Sequence, residues 1–154
     1  MDPKYFFQYC QKLVVFSKDS NNIFLAKRKN ESHYDGVYAF IGGKMETSDK
    51  SIVDGLRREK IEEVGEEMQI SFYPGATHNK LFKRKDGFLM ILPHYIAKYK
   101  GGKIKLNEEE YSEYKWVEIS EIDIFEPKVD NIPEIIKWAA GLKSKLSDEE
   151  FIPL

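Results

Sequence analysis

Between Gly42 and Gly65 the chain reads GGKMETSDKSIVDGLRREKIEEVG: a glycine pair, a short polar loop, then a helix-forming run carrying Glu59, Glu62 and Glu63 beside Arg58. On a helix, residues three and four apart share a face, so the three carboxylates project from one patch. Glu59 and Glu63 form a like-charge i,i+4 pair. The acids also lie toward the helix C-terminus, where the macrodipole disfavours negative charge. A hard divalent cation offsets both penalties, and Mg²⁺ in particular takes a few carboxylate oxygens while keeping positions for water and phosphates. Val53, Leu56 and Val64 define the buried side of this helix, which places the acids on the opposite flank. The cluster offers oxygen donors without a thiolate or neighbouring imidazole, so soft metals are not expected.

A solitary acidic helix face usually just meets water. Here two neighbours argue for more. Gly42 and Gly43 lack a Cβ and let the backbone approach a ligand or ion closely. Arg58 can pair with Glu62 at i,i+4 and hold its rotamer. The segment resembles the signature of the Nudix hydrolases, G-x5-E-x7-R-E-U-x-E-E-x-G-U with U aliphatic: Gly43, Arg58, Glu59, Glu62, Glu63 and Gly65 fill their places. There are departures. One extra residue lies between Gly43 and Arg58, Asp49 stands at the first Glu, and Lys60 and Glu66 occupy aliphatic positions. Lys60 is expected to bury its stem and free its ammonium at the edge.

The resemblance implies an α/β fold, a Nudix-like α/β/α sandwich with a mixed β-sheet between helices. It implies Mg²⁺ or Mn²⁺ held by Glu59, Glu62, Glu63 and the Gly43 carbonyl, with Arg58 orienting the carboxylates. The expected catalytic set is Glu62, Glu63, Arg58 and Glu110, the last from the loop Asn107 to Glu110; Glu113 is a second candidate base. The implied activity is hydrolysis of a nucleoside diphosphate linked to another moiety: a nucleoside triphosphate, nucleotide sugar, dinucleoside polyphosphate or capped RNA end. The alternative is a Nudix-like domain that senses a nucleotide without turning it over. Arg28 and Lys44 are candidate charge-assisted donors to phosphate. Tyr34, in a polar loop, is the candidate for stacking on base or sugar, whereas core packing accounts for Phe40. His33, His78 and His94 are scattered without ligand spacing and are read as structural or exposed.

At 154 residues the chain fits one domain spanning 1–154. Its 24 basic and 26 acidic side chains give a formal net charge of −2, so no global basic field gathers duplex nucleic acid or an anionic membrane. The expected partner is a small molecule, and a homodimer is compatible with the sequence. Cys10 is the only cysteine, which excludes an internal disulfide and suits a reducing compartment; it is read as a buried strand residue. The apolar run Leu13 to Phe16 is too short for a signal-peptide core or a membrane span, so a soluble, cytoplasmic protein is expected.

The remaining elements follow from periodicity and turn residues. Tyr5–Phe16 and Asn22–Arg28 read as a hairpin around SKDSNN. VYAFIGGK is a short strand ending on the glycine pair. Ser51 or Asp49 caps the acidic helix, and Gly65 stops it in the αL conformation. MQISFY, HNKLFKR and FLMILPHYIAKYK are further strands, the last two joined at Lys85-Asp86-Gly87. Pro93 predicts an edge position or a bulge. A strand over Tyr111–Ile119 precedes a second helix, capped at Asn131, stopped near Gly141, and burying Ile132, Ile135, Ile136 and Ala139.

Overall fold

Alternate residues of the central strands face two different helices, so these strands are buried on both sides, as a sheet covered on both faces requires. The structure is a computed structural model that describes residues 2–154. In chain order it contains β1 (Phe7–Tyr9), β2 (Lys12–Phe16), β3 (Asn22–Arg28), β4 (Tyr38–Ala39), α1 (Ile52–Val64), β5 (Gln69–Lys83), β6 (Leu89–Gly101), β7 (Tyr111–Glu118), α2 (Ile132–Lys143) and β8 (Ile152–Pro153). The sheet runs β4-β3-β2-β6-β5-β8, with β1 also on β6 and β7 also on β3. It is mixed, because β1 and β2 run parallel to β6 while the other pairs are antiparallel.

Val14, Phe16, Ile23, Leu25 and Ile96 pack with Ile132, Ile135, Ile136 and Ala139 of α2. Their neighbours in sequence, Leu13, Val15, Phe24, Ala26 and Ala97, pack with Leu56 and Val64 of α1. The result is the expected α/β/α sandwich. Each fully buried Leu, Ile or Phe side chain contributes about 1.5–3 kcal/mol, so the period-two alternation of β2 and β3 holds both helices in place. No helix of the described residues is long and apolar enough to cross a membrane.

Several local expectations are corrected. The segment Gln69–Lys83 is one long strand, and the register irregularity between Phe72 and Thr77 absorbs Pro74 and Gly75. Pro93 lies on an interior strand without a bulge. It falls in the interval where β1 stops pairing with β6 at Ile91 and β2 starts at His94, so a missing N–H interrupts no ladder on that side. Asn131 stands at the N-cap of α2 without a side-chain capping bond, and α2 continues through Gly141 to Lys143. The N-terminal run is split: Pro3–Tyr5 forms a 3₁₀ turn before β1. Lys60 is 3% exposed, and its ammonium donates to the Glu66 carbonyl at 3.2 Å rather than standing free.

Candidate active site

Ser51 begins α1, its hydroxyl accepting from the Asp54 N–H at 3.1 Å. Asp49 has a different task. Its two carboxylate oxygens accept from Arg58 Nε and Nη2, each at 2.9 Å, and this pairing holds the Asp49 carboxyl down at about 2. Arg58 also donates to the Lys44 carbonyl at 2.9 Å and to Glu59 Oε1 at 2.9 Å, while its contacts with Glu62 are longer, at 3.4 Å. The guanidinium therefore ties the loop after the glycine pair to the helix, and the i,i+4 pairing with Glu62 is its weaker link.

Gly42 has φ +134°, and a Cβ there would lie 2.0 Å from the Gln11 carbonyl oxygen. A Cβ on Gly43 would lie 2.0 Å from Glu59 Oε2, so the absent side chain is what lets this carboxylate sit against the loop. The Gly42 N–H donates to Glu63 Oε2 at 2.6 Å, and the Tyr111 hydroxyl donates to Glu63 Oε1 at 2.9 Å. Gly65 closes the helix at φ +88° and ψ 163°, outside the αL region, with its N–H on the Ile61 carbonyl.

These elements bound a cleft of about 610 Å³. Glu59, Glu62, Glu63 and Glu110 line it together. Glu62 is exposed and Glu63 is 4% exposed, so Glu63 is buried between α1 and β7 and not on an open flank. Burial pushes Glu63 up to about 8, against the pull of Lys12 and the Gly42 N–H. Burial also raises Glu59 and Glu110, and each acid feels others of the cluster: Glu62 and Glu110 raise Glu59, Glu110 raises Glu63, and Glu62 raises Glu110. That mutual repulsion, in an all-oxygen donor set, is what a hard cation relieves.

The carboxylates are nonetheless engaged. Arg58 holds Glu59, two donors hold Glu63, and among the described residues no three His, Cys, Asp or Glu side chains form a finished cation cage. The Gly43 carbonyl accepts from the Gln11 N–H at 2.9 Å and has a second lone pair.

Arg28, Lys44 and Tyr34 all line the cleft as well. Arg28 pairs with Glu31 at 3.1 Å, and its Nε is buried without a partner. Tyr34 is 44% exposed and stands at φ +56°, its ring near Phe82. Arg58 does not line the cleft, and neither does Glu113, which accepts from the Tyr38 hydroxyl. Sequence reasoning missed Lys12, Phe82, Arg84 and His94, which line the cleft too, as does His33. Lys12 opens an apolar strand, and its ammonium donates to the Gly42 carbonyl at 3.2 Å. Only the parallel β2/β6 register, invisible locally, brings Lys12 beside His94.

A glycine pair against a helix of clustered glutamates, set in the cleft of a mixed sandwich, defines a recognised class. The family model for the NUDIX domain matches residues 12–139. The chain belongs to the NUDIX domain family, the class of Nudix-type hydrolases.

Among solved structures, a MutT protein from Methanosarcina mazei Go1 superposes with a TM-score of 0.72 at 22% identity, covering 89% of this chain and 95% of that one. A Caenorhabditis elegans Ap4A hydrolase, solved as a binary complex, gives 0.73 at 14% identity, with 90% and 99% covered. The NUDIX domain of Shewanella oneidensis NrtR, complexed with ADP ribose, gives 0.67 at 18% identity, with 96% and 94% covered. These likenesses are in fold. No curated protein sequence matches the chain significantly.

Proposed function

We propose that this protein is a Mg²⁺- or Mn²⁺-dependent pyrophosphohydrolase whose substrate is a nucleoside diphosphate linked to a further group. One observation carries the reading: Glu59, Glu62, Glu63 and Glu110 line a single cleft together with Lys12, Arg28 and Lys44, and aromatic and aliphatic side chains line it as well. Hydrolysing a phosphoanhydride requires neutralising phosphate charge and delivering a water to phosphorus; a divalent cation supplies charge neutralisation and acidifies that water.

In this reading Glu59, Glu62 and Glu63 hold the cation together with the Gly43 carbonyl, and the donor chemistry fits. Arg58, outside the cleft, is a positioning residue that sets the rotamer of Glu59. Glu110 is exposed and carries a raised proton affinity, caused first by burial of its carboxyl and then by neighbouring acids. That suits it to accept a proton from the attacking water. Lys12, Lys44 and the guanidinium of Arg28 offer donors to phosphate oxygens. Tyr34 and Phe82 provide ring surface for the base or sugar. The free, buried Cys10 thiol fits a cytoplasmic setting.

A nucleotide-binding role without turnover is the second reading, favoured by the engagement of Glu59 and Glu63 with protein donors. A panel of nucleoside triphosphates, nucleotide sugars, dinucleoside polyphosphates and capped RNA, incubated with Mg²⁺ or with a chelator, separates the two. Turnover that needs the cation supports the hydrolase; binding without turnover supports the sensor.

A further inference from the structure

We propose that His94 determines base specificity in this cleft, its Nε2 accepting a hydrogen bond from an exocyclic amine on the substrate's base. The inference rests on the nucleotide reading above and names the kind of base.

Lys12 on β2, His94 on β6 and His78 on β5 are direct neighbours across the sheet, so their side chains project from one face. His94 Nδ1 lies 3.0 Å from the His78 carbonyl oxygen. A carbonyl only accepts, so Nδ1 carries the proton, and in the neutral ring Nε2 then bears the lone pair. Burial pushes the ring down to about 4, and nearby Lys12 adds to that, so Nε2 stays an acceptor through the physiological range.

Among the described residues the buried side-chain nitrogens and oxygens without a partner are Gln11 Oε1, Arg28 Nε and His78 Nδ1. His94 Nε2 is not among them, the ring's short hydrogen bond runs through Nδ1 to His78, and the largely buried ring lines the cleft. Phe40 packs edge-on against the ring at 5.6 Å, and Met90, Leu92 and Ile132 line the same cleft alongside the polar Lys12 and Asn131. Phe40, Met90, Leu92 and Ile132 suit a flat heterocycle, and the Nε2 acceptor beside them favours a base edge that donates over one that presents only a carbonyl.

The test is calorimetric binding in Mg²⁺ of matched nucleoside 5′-diphosphates that differ only in the amine. The pairs are ADP against purine-riboside diphosphate, GDP against IDP, and CDP against its 4-desamino analogue. The wild type should lose about tenfold in affinity on removal of the amine in at least one pair. His94→Phe should abolish that difference, and His94→Gln, which loses the His78 bond equally but keeps an acceptor, should restore part of it. Equal binding of every pair by the wild type, or undiminished discrimination in His94→Phe, overturns the assignment of His94 and leaves the hydrolase reading standing. Failure of every diphosphate to bind overturns both.

Discussion

Asp49 grips the guanidinium of Arg58 with both carboxylate oxygens, one on Nε and one on Nη2, each at 2.9 Å. This ion pair spans the loop between the glycine pair and α1, and it fixes the arginine whose third nitrogen holds Glu59. Asp49→Asn should cost about tenfold or more in kcat/KM, the usual loss when a group that orients a metal ligand is removed.

The same pair predicts an acid signature. Asp49 is held down at about 2 by Arg58, and a depressed carboxylate stabilises the fold above its ordinary range and loses that contribution as pH falls through about 2. Melting curves between pH 5 and pH 2 should fall less steeply in Asp49→Asn than in the wild type. Parallel curves would mean that Asp49 is not ion-paired in solution.

The two glycines should respond differently to alanine. At Gly42 the new Cβ meets a backbone oxygen at 2.0 Å and the residue has φ +134°, so Gly42→Ala should lower Tm by many degrees. At Gly43 the nearest atoms it meets are the carboxylate end of the Glu59 side chain rather than backbone. Gly43→Ala should therefore fold with near-normal Tm while losing about a hundredfold in turnover, because Glu59 is displaced. Equal destabilisation of both variants would contradict this division.

Glu63 gives a pH dependence of the opposite sign to that of Asp49. Burial raises it to about 8, so the folded chain keeps a proton that the unfolded chain releases. This contribution is complete below the ordinary carboxylate range and is lost as pH rises through about 8, with a slope of up to about 1.4 kcal/mol per pH unit. Glu63→Gln, whose amide oxygen can accept from the Gly42 N–H while its amide nitrogen donates to the Tyr111 hydroxyl oxygen, should flatten the decline in Tm of the metal-free protein between pH 5 and pH 9. Mg²⁺ at pH 7 should raise the wild-type Tm by linkage and release protons as it binds. Calorimetry in buffers of different ionisation enthalpy measures that release.

Much of α1 was legible before the structure, because its carboxylate spacing, Ser51 cap and buried Leu56 and Val64 are local. The acidic pole was legible for the same reason. What escaped depends on distant partners. Glu63 is buried because Tyr111 reaches it from β7, and no helical periodicity carries that information. Asp49 had two physically reasonable uses, as cap or as ion partner, and the position of the guanidinium decided between them. Pro74-Gly75 looked like a break between strands, yet continuous pairing with β6 on either side made it an irregularity within one. Lys12 and His94 sit among apolar strand residues that read as core, and register alone makes them cleft residues.

Cation-dependent cleavage at the clustered glutamates is probed most directly at Glu62, whose side chain is 52% exposed and supports little of the fold. The decisive measurement follows phosphoanhydride cleavage by ³¹P NMR for the wild type and Glu62→Gln, with Mg²⁺ and with chelator, alongside a nucleoside monophosphate. The wild type should show Mg²⁺-dependent scission within a pyrophosphate, Glu62→Gln should lose roughly a hundredfold or more at unchanged Tm, and the monophosphate should release no phosphate. Cleavage that persists in chelator, or that proceeds equally well in Glu62→Gln, would contradict cation-dependent cleavage at these glutamates.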